Sequence, residues 1–261
     1  MKARKVRTKM CSEYQLHTSP QEVEAALGFP LIDKAQGFAW GGTVKMYTSA
    51  PVIELGKDGP ELVLKTFPSS PMPNSRLSGI GNQSEGNDAD EDAEHIQIKR
   101  IYEMPRWKEG FHKHPLLIPM SSFHEFAYWG SEAGTAQDFT IPGEQVLFAA
   151  GIGIRPFTPS GKPGDGFSIL THTATEQMLE YHHRLIVLLK PEHALQYLEE
   201  SSPEKRFEYL VKNRYTGEFE VTKVRNMAAA WKGRNAGFCR PLIEANQLRW
   251  VTLARLSALP Y

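Results

Sequence analysis

The segments of this chain that read as β-strands follow one another with no regular helix between them. Residues 115–129 are strongly β in character, and 146–152 and 167–171 are further apolar strands. A doubly wound parallel sheet needs a helix after each strand, so irregular alternation favours an α+β fold. Two more runs, 51–55 and 61–65, flank Lys57-Asp58-Gly59-Pro60 and predict a hairpin. Residues 184–189 read as a buried strand, and 218–224 and 248–253 supply late ones. The first helix is signalled by Ser19-Pro20-Gln21-Glu22: Ser19 caps, Pro20 suits the first turn and Glu22 completes a capping box. Val23, Ala26 and Leu27 form its buried face, and Gly28 stops it. A second capping box, Thr173-Ala-Thr-Glu176, predicts a helix through Met178, Leu179 and Tyr181 that ends near His182 and His183. Residues 191–200 and 203–211 predict amphipathic helices, each opened by proline.

Charge and cysteine content bound the function. The chain of 261 residues has 30 basic and 30 acidic side chains, so the whole molecule exerts no electrostatic pull on nucleic acid. Any such binding must come from local basic patches. Cys11 and Cys239, the two cysteines, give neither a disulfide framework nor a zinc knuckle, which suits a reducing cytosol. The longest aliphatic run, 185–189, is too short to cross a bilayer. The expectation is a cytoplasmic, monomeric protein without metal or cofactor. Residues 1–9 carry five Lys or Arg and no acid, a basic extension that is either a solvated tail or removed in the mature protein. Residues 78–95 are Gly, Asn, Ser and acid, and read as a mobile insertion. His112-Lys113-His114 would put two imidazoles on one face of a strand, but no third ligand of metal spacing follows. Gly151-Ile-Gly153 lacks the third glycine of a dinucleotide fingerprint.

Met10-Cys11-Ser12-Glu13-Tyr14 carries the most specific chemistry. A cysteine at a chain start holds an α-amine and a thiol on adjacent carbons, with ordinary pKa values of about 8 and about 8.5. Together they can attack one aldehyde, the amine forming a Schiff base and the thiol closing a thiazolidine. The alternative for Cys11 is a small buried hydrophobe.

Four further segments stand in order with that one: Asn74-Ser75-Arg76-Leu77-Ser78, residues 116–126 (Leu-Leu-Ile-Pro-Met-Ser-Ser-Phe-His-Glu-Phe), Phe148-Ala-Ala-Gly-Ile152, and Phe167-Ser-Ile-Leu-Thr171 through Tyr181-His182-His183-Arg184. Together the set resembles the SOS-response-associated peptidase (SRAP) family, proteins that covalently trap abasic sites in single-stranded DNA. The resemblance implies an SRAP-like domain over 10–261 with a curved, largely antiparallel, barrel-like β core and flanking helices. It implies Cys11 as nucleophile, Asn74 to hold the sugar or the Cys11 backbone, Glu125 as general acid and His182 as proton donor to the sugar ring oxygen. It also implies Arg76 and Arg184 near the DNA phosphates. Abasic single-stranded DNA is the expected partner, and self-cleavage ahead of Cys11 the expected peptidase activity. The other reading is a non-catalytic DNA-binding or interaction protein of the same fold. Departures from the family pattern are Glu13 for arginine, Ser78 for glutamate, Phe126 for tryptophan, and an internal Cys11. If 122–126 is a strand, Glu125 shares a face with Phe123, while His124 and Phe126 point to the other.

Overall fold

The structure is a computed structural model, and it describes residues 13–45, 48–67, 101–102, 105–127, 135–155, 161–162, 164–182 and 184–226. Its first part comprises β1 (Glu13–Leu16), α1 (Pro20–Leu27), β2 (Ile32–Asp33), β3 (Gly42–Lys45), β4 (Ser49–Leu55) and β5 (Pro60–Thr66). Then come α2 (Pro105–Lys113), β6 (Pro115–Met120), β7 (Ser122–Phe126), β8 (Thr135–Thr140) and β9 (Leu147–Ile154). The last are β10 (Gly166–Ile169), β11 (Thr171–Thr173), β12 (Arg184–Ile186), β13 (Leu188–Leu189), α3 (Pro191–Glu199), α4 (Pro203–Asn213) and β14 (Glu220–Asn226).

The fold is α+β, built on a ring of strands. β5, β4, β6, β9 and β10 pair in that order, and β10 returns to β5 through a parallel bridge, Gly166↔Thr66. The other ring pairings are antiparallel. On its second edge β9 pairs β10 over 151–154 and β13 over 148–149. The chain then bends at Ser121, so that β6 continues as β7 into a second sheet of five strands, ordered β14-β8-β7-β1-β3.

Alternation along the strands sorts the core into two. Leu116, Ile118 and Met120 of β6 and Leu147 and Ala149 of β9 point one way, joining Tyr14, Phe67 and Phe167. Leu117 of β6 and Phe148, Ala150 and Ile152 of β9 point the other way, against Trp107 and Phe111 of α2 and Tyr197 of α3. Phe67 and Phe167 stack at 5.0 Å with Tyr14 edge-on at 5.8 Å from Phe67. Each such ring removed from water contributes about 1.5–3 kcal/mol. Gly151 serves this packing: a Cβ there would strike Ile118 and come within 2.8 Å of Leu116 and of the Ser168 carbonyl. Tyr197 Oη donates to the Gly151 carbonyl from the other side, at 2.6 Å.

α1 has the predicted box. Ser19 Oγ accepts from Glu22 N at 3.2 Å, Glu22 Oε2 accepts from Ser19 N at 2.7 Å, and Gly28 ends the helix at φ 68°. The predicted hairpin is β4–β5, in register from Ser49↔Thr66 to Leu55↔Pro60. Arg206 of α4, only 3% exposed, donates to the carbonyls of Phe111, Tyr197 and Glu200, tying together the C-terminal ends of α2 and α3.

Two expectations are corrected. His112 and Lys113 end helix α2 instead of lying in a strand, because Trp107 and Phe111 form an i, i+4 apolar stripe that buries against β9. Thr173 caps no helix: it is the last residue of β11 and pairs with Arg184 of β12. The chain reverses between those paired residues through a 3₁₀ turn, Met178–Glu180, whose first N–H is accepted by Thr175 Oγ1 at 3.4 Å. Residues 184–189 are strand as expected, divided between two sheets as β12 and β13. The insertion at 78–95 and the strand at 248–253 lie outside the described residues.

Candidate active site

Period-2 geometry places Glu125 inward. It is 1% exposed on β7, on the same face as Phe123 and directly opposite Gln137 of β8, itself 3% exposed. Gln137 Nε2 donates to Thr135 Oγ1 at 2.6 Å, so a row of buried polar side chains lines this end of β8. His182 is fully buried, and its backbone N–H donates to the Met178 carbonyl at 2.8 Å, just after the 3₁₀ turn that Tyr181 N–H closes on the same carbonyl at 2.9 Å.

One aromatic cluster joins the two segments. Phe123 stacks on Phe139 at 5.0 Å, and Tyr181, next to His182, meets Phe139 edge-on at 5.5 Å. Phe219 closes the group at 5.7 Å from Phe123. Gln177 fixes the turn by exchanging two bonds with the Phe219 backbone, at 2.9 and 2.8 Å. Thus β7 and the His182 turn are set relative to each other by packed rings.

Cys11, Asn74 and Arg76 lie outside the described residues. Arg184 pairs through its backbone with Thr173, and its side chain is likewise outside them. Among the described residues no group of three His, Cys, Asp or Glu is arranged to hold a metal ion. A small cavity lined by Phe111, Leu170, His172 and Leu210 borders the helices, and none of the candidate residues lines it.

Sequence reasoning overlooked His124, on the opposite face of β7. It is 8% exposed, with Nδ1 3.0 Å from Glu13 Oε1 of β1 and Nε2 3.1 Å from Asp138 Oδ1 of β8. Burial lowers the ring's proton affinity, but the bonds to Asp138 and Glu13 outweigh it, and its pKa is pushed up to about 9. The ring is therefore an imidazolium at neutral pH. Glu13, the reversed charge at the family's arginine position, spends its charge on this pair. The only hint in the sequence was an acid two residues after Cys11, because the partners meet solely through strand pairing.

The profile of the SOS response associated peptidase (SRAP) family matches residues 10–229, most of the chain. The chain belongs to this family. Three solved structures share its fold. One is a phage-related protein from Bordetella bronchiseptica, 18% identical, aligned over 82% of this chain and 94% of its own with a TM-score of 0.58. A second protein from Bordetella bronchiseptica is 14% identical over 82% of this chain and 100% of its own, TM-score 0.57. A protein from Bacteroides thetaiotaomicron is 18% identical over 83% of this chain and 93% of its own, TM-score 0.57. No curated protein matches the chain. Family membership supports a DNA-damage-associated function, and among the described residues no helix is long and apolar enough to cross a membrane.

Proposed function

We propose that the protein traps abasic sites in single-stranded DNA by forming a thiazolidine at Cys11. The observation that carries this reading is where the family match begins: residue 10, immediately before the cysteine. Glu125 supports it as a carboxyl group buried on β7, the strand paired with the β1 that follows Cys11.

In this reading His182 gives a proton to the ring oxygen of the abasic sugar, and the ring opens to its aldehyde. The Cys11 amine adds to that carbonyl, and Glu125, as general acid, protonates the departing hydroxyl as water. The Cys11 sulfur then bonds to the imine carbon while the thiol proton passes to nitrogen, leaving a saturated five-membered ring. Asn74 holds the sugar hydroxyls or the Cys11 backbone, and Arg76 and Arg184 pair with phosphate. The amine must be free, so residues ahead of Cys11 are removed, either by methionine removal after initiation at Met10 or by self-cleavage.

Intact mass of the purified, active protein tests this. A polypeptide beginning at Cys11 is expected. An active preparation that still carries residues before Cys11 would exclude the thiazolidine and favour the second reading, a DNA-binding protein without the covalent step.

A further inference from the structure

A row of side chains crosses the outer face of the second sheet. Strand register aligns Lys45 of β3 with Glu13 of β1, and Asp138 of β8 with both His124 of β7 and Thr222 of β14. Glu13 falls opposite His124, one step beyond the last β1–β7 pair, Tyr14↔Phe123. The backbone ladder between these strands covers only two residues of β1, Tyr14 and Gln15, whereas β7–β8 is paired over four, Phe123 to Phe126. Among the described residues, β3 lies beyond β1 at the sheet's edge. The side-chain pair Glu13–His124 thus takes over where the main-chain bonds between β1 and β7 end.

We infer that His124 is a positioning residue: hydrogen-bonded through Nδ1 to Glu13, with the Asp138 carboxylate within ion-pair distance of Nε2, it clamps β1 onto β7 and so fixes the strand that follows Cys11 in the chain. This rests on the reading of Cys11 as the nucleophile. The clamp needs Nδ1 as donor to Glu13 Oε1, with Asp138 Oδ1 as the ion-pair partner of Nε2. Gln15 lies 3.2 Å from Nε2 and also bonds Thr43 Oγ1 at 2.9 Å. The contact to the ring is made by the Gln15 amide nitrogen, while its oxygen accepts from the Thr43 hydroxyl; a doubly protonated ring requires the amide in the flipped sense. Among the described residues, the charged groups facing His124 are Glu13 and Asp138. Farther along the same face lie exposed Lys45, His17 and Glu220.

The sign follows from the pKa of about 9. Below that pH the clamp is a full ion pair, and it weakens as pH rises through it. Three measurements on the full chain test the clamp. NMR titration should find His124 changing state near pH 9, and at lower pH in Glu13→Gln. Amide exchange, corrected for its intrinsic pH dependence, should show Tyr14–Leu16 losing protection roughly tenfold or more in His124→Asn while β7–β8 keeps it. Adduct formation with an abasic single-stranded oligonucleotide should slow by roughly 10–100-fold in His124→Asn at neutral pH. In Glu13→Gln, which removes the β1 carboxylate of the clamp, it should slow at neutral pH as well, by less than in His124→Asn. Unchanged β1 protection in folded His124→Asn, or normal adduct rates with protection lost, overturns the inference. If His124→Asn does not fold, the Glu13→Gln pair of readouts decides alone. If wild type forms no adduct, the proposed function fails, and titration with β1 exchange still decides whether the clamp exists.

Discussion

Glu125 and His182 are 1% and 0% exposed, and the proposed chemistry makes them its proton donors. Glu125→Ala and His182→Ala are expected to slow crosslinking by roughly 10²–10⁴-fold with the fold retained, read from adduct formation against time alongside circular dichroism. Wild-type rates in both would show that neither acts in the chemistry. His124 makes a separate contribution to stability. Its folded pKa, about 9, lies above the ordinary 6.5, so the stabilisation is complete below about 6.5 and is lost as pH rises through about 9. It amounts to roughly 3 kcal/mol at most. Urea unfolding at pH 6 and pH 10 should show this loss in wild type and not in His124→Asn. The facing of Glu125 was legible from the alternation Phe123-His124-Glu125. The clamp was not, since Glu13, His124 and Asp138 are brought together only by register between three strands.

Elements were legible where their signals are local. The Ser19 box, the Gly28 cap and the β4–β5 hairpin each depend on residues within a few positions of one another. Thr173 misled because its box pattern is equally compatible with a strand end, and pairing with Arg184 decides between them. α2 was unread because its stripe, Trp107 and Phe111, is followed by two histidines that resemble an alternating strand. Arg206 was also invisible, although it holds three helices through backbone carbonyls. Arg206→Met would leave those buried acceptors unpaired, and is expected to destabilise by about 3–5 kcal/mol in denaturant titration. A change under about 1 kcal/mol would mean that water replaces the guanidinium there. Gly151→Ala should cost about 1–3 kcal/mol, because the added methyl meets Ile118, Leu116 and the Ser168 carbonyl inside the ring.

At the scale of the molecule, irregular alternation of strands and helices was enough to indicate α+β. The ring required knowing that β10 returns to β5, a parallel bridge with no counterpart in the sequence pattern. With 30 basic and 30 acidic side chains, and Glu13 committed to His124, DNA affinity must rest on few phosphate contacts. A shallow dependence of binding on salt is therefore expected, shallower still in Arg76→Ala and Arg184→Ala. A steep slope unchanged by either would place the interface elsewhere. The covalent step is the central claim, and a denaturing gel with abasic single-stranded DNA, run with and without borohydride, tests it most directly. Wild type beginning at Cys11 should give a heat-stable adduct without borohydride. Cys11→Ser, with its amine free, should give only a weaker adduct that borohydride fixes, and Cys239→Ser should match wild type. A heat-stable adduct in Cys11→Ser, or none in wild type with a confirmed Cys11 terminus, would contradict the thiazolidine mechanism.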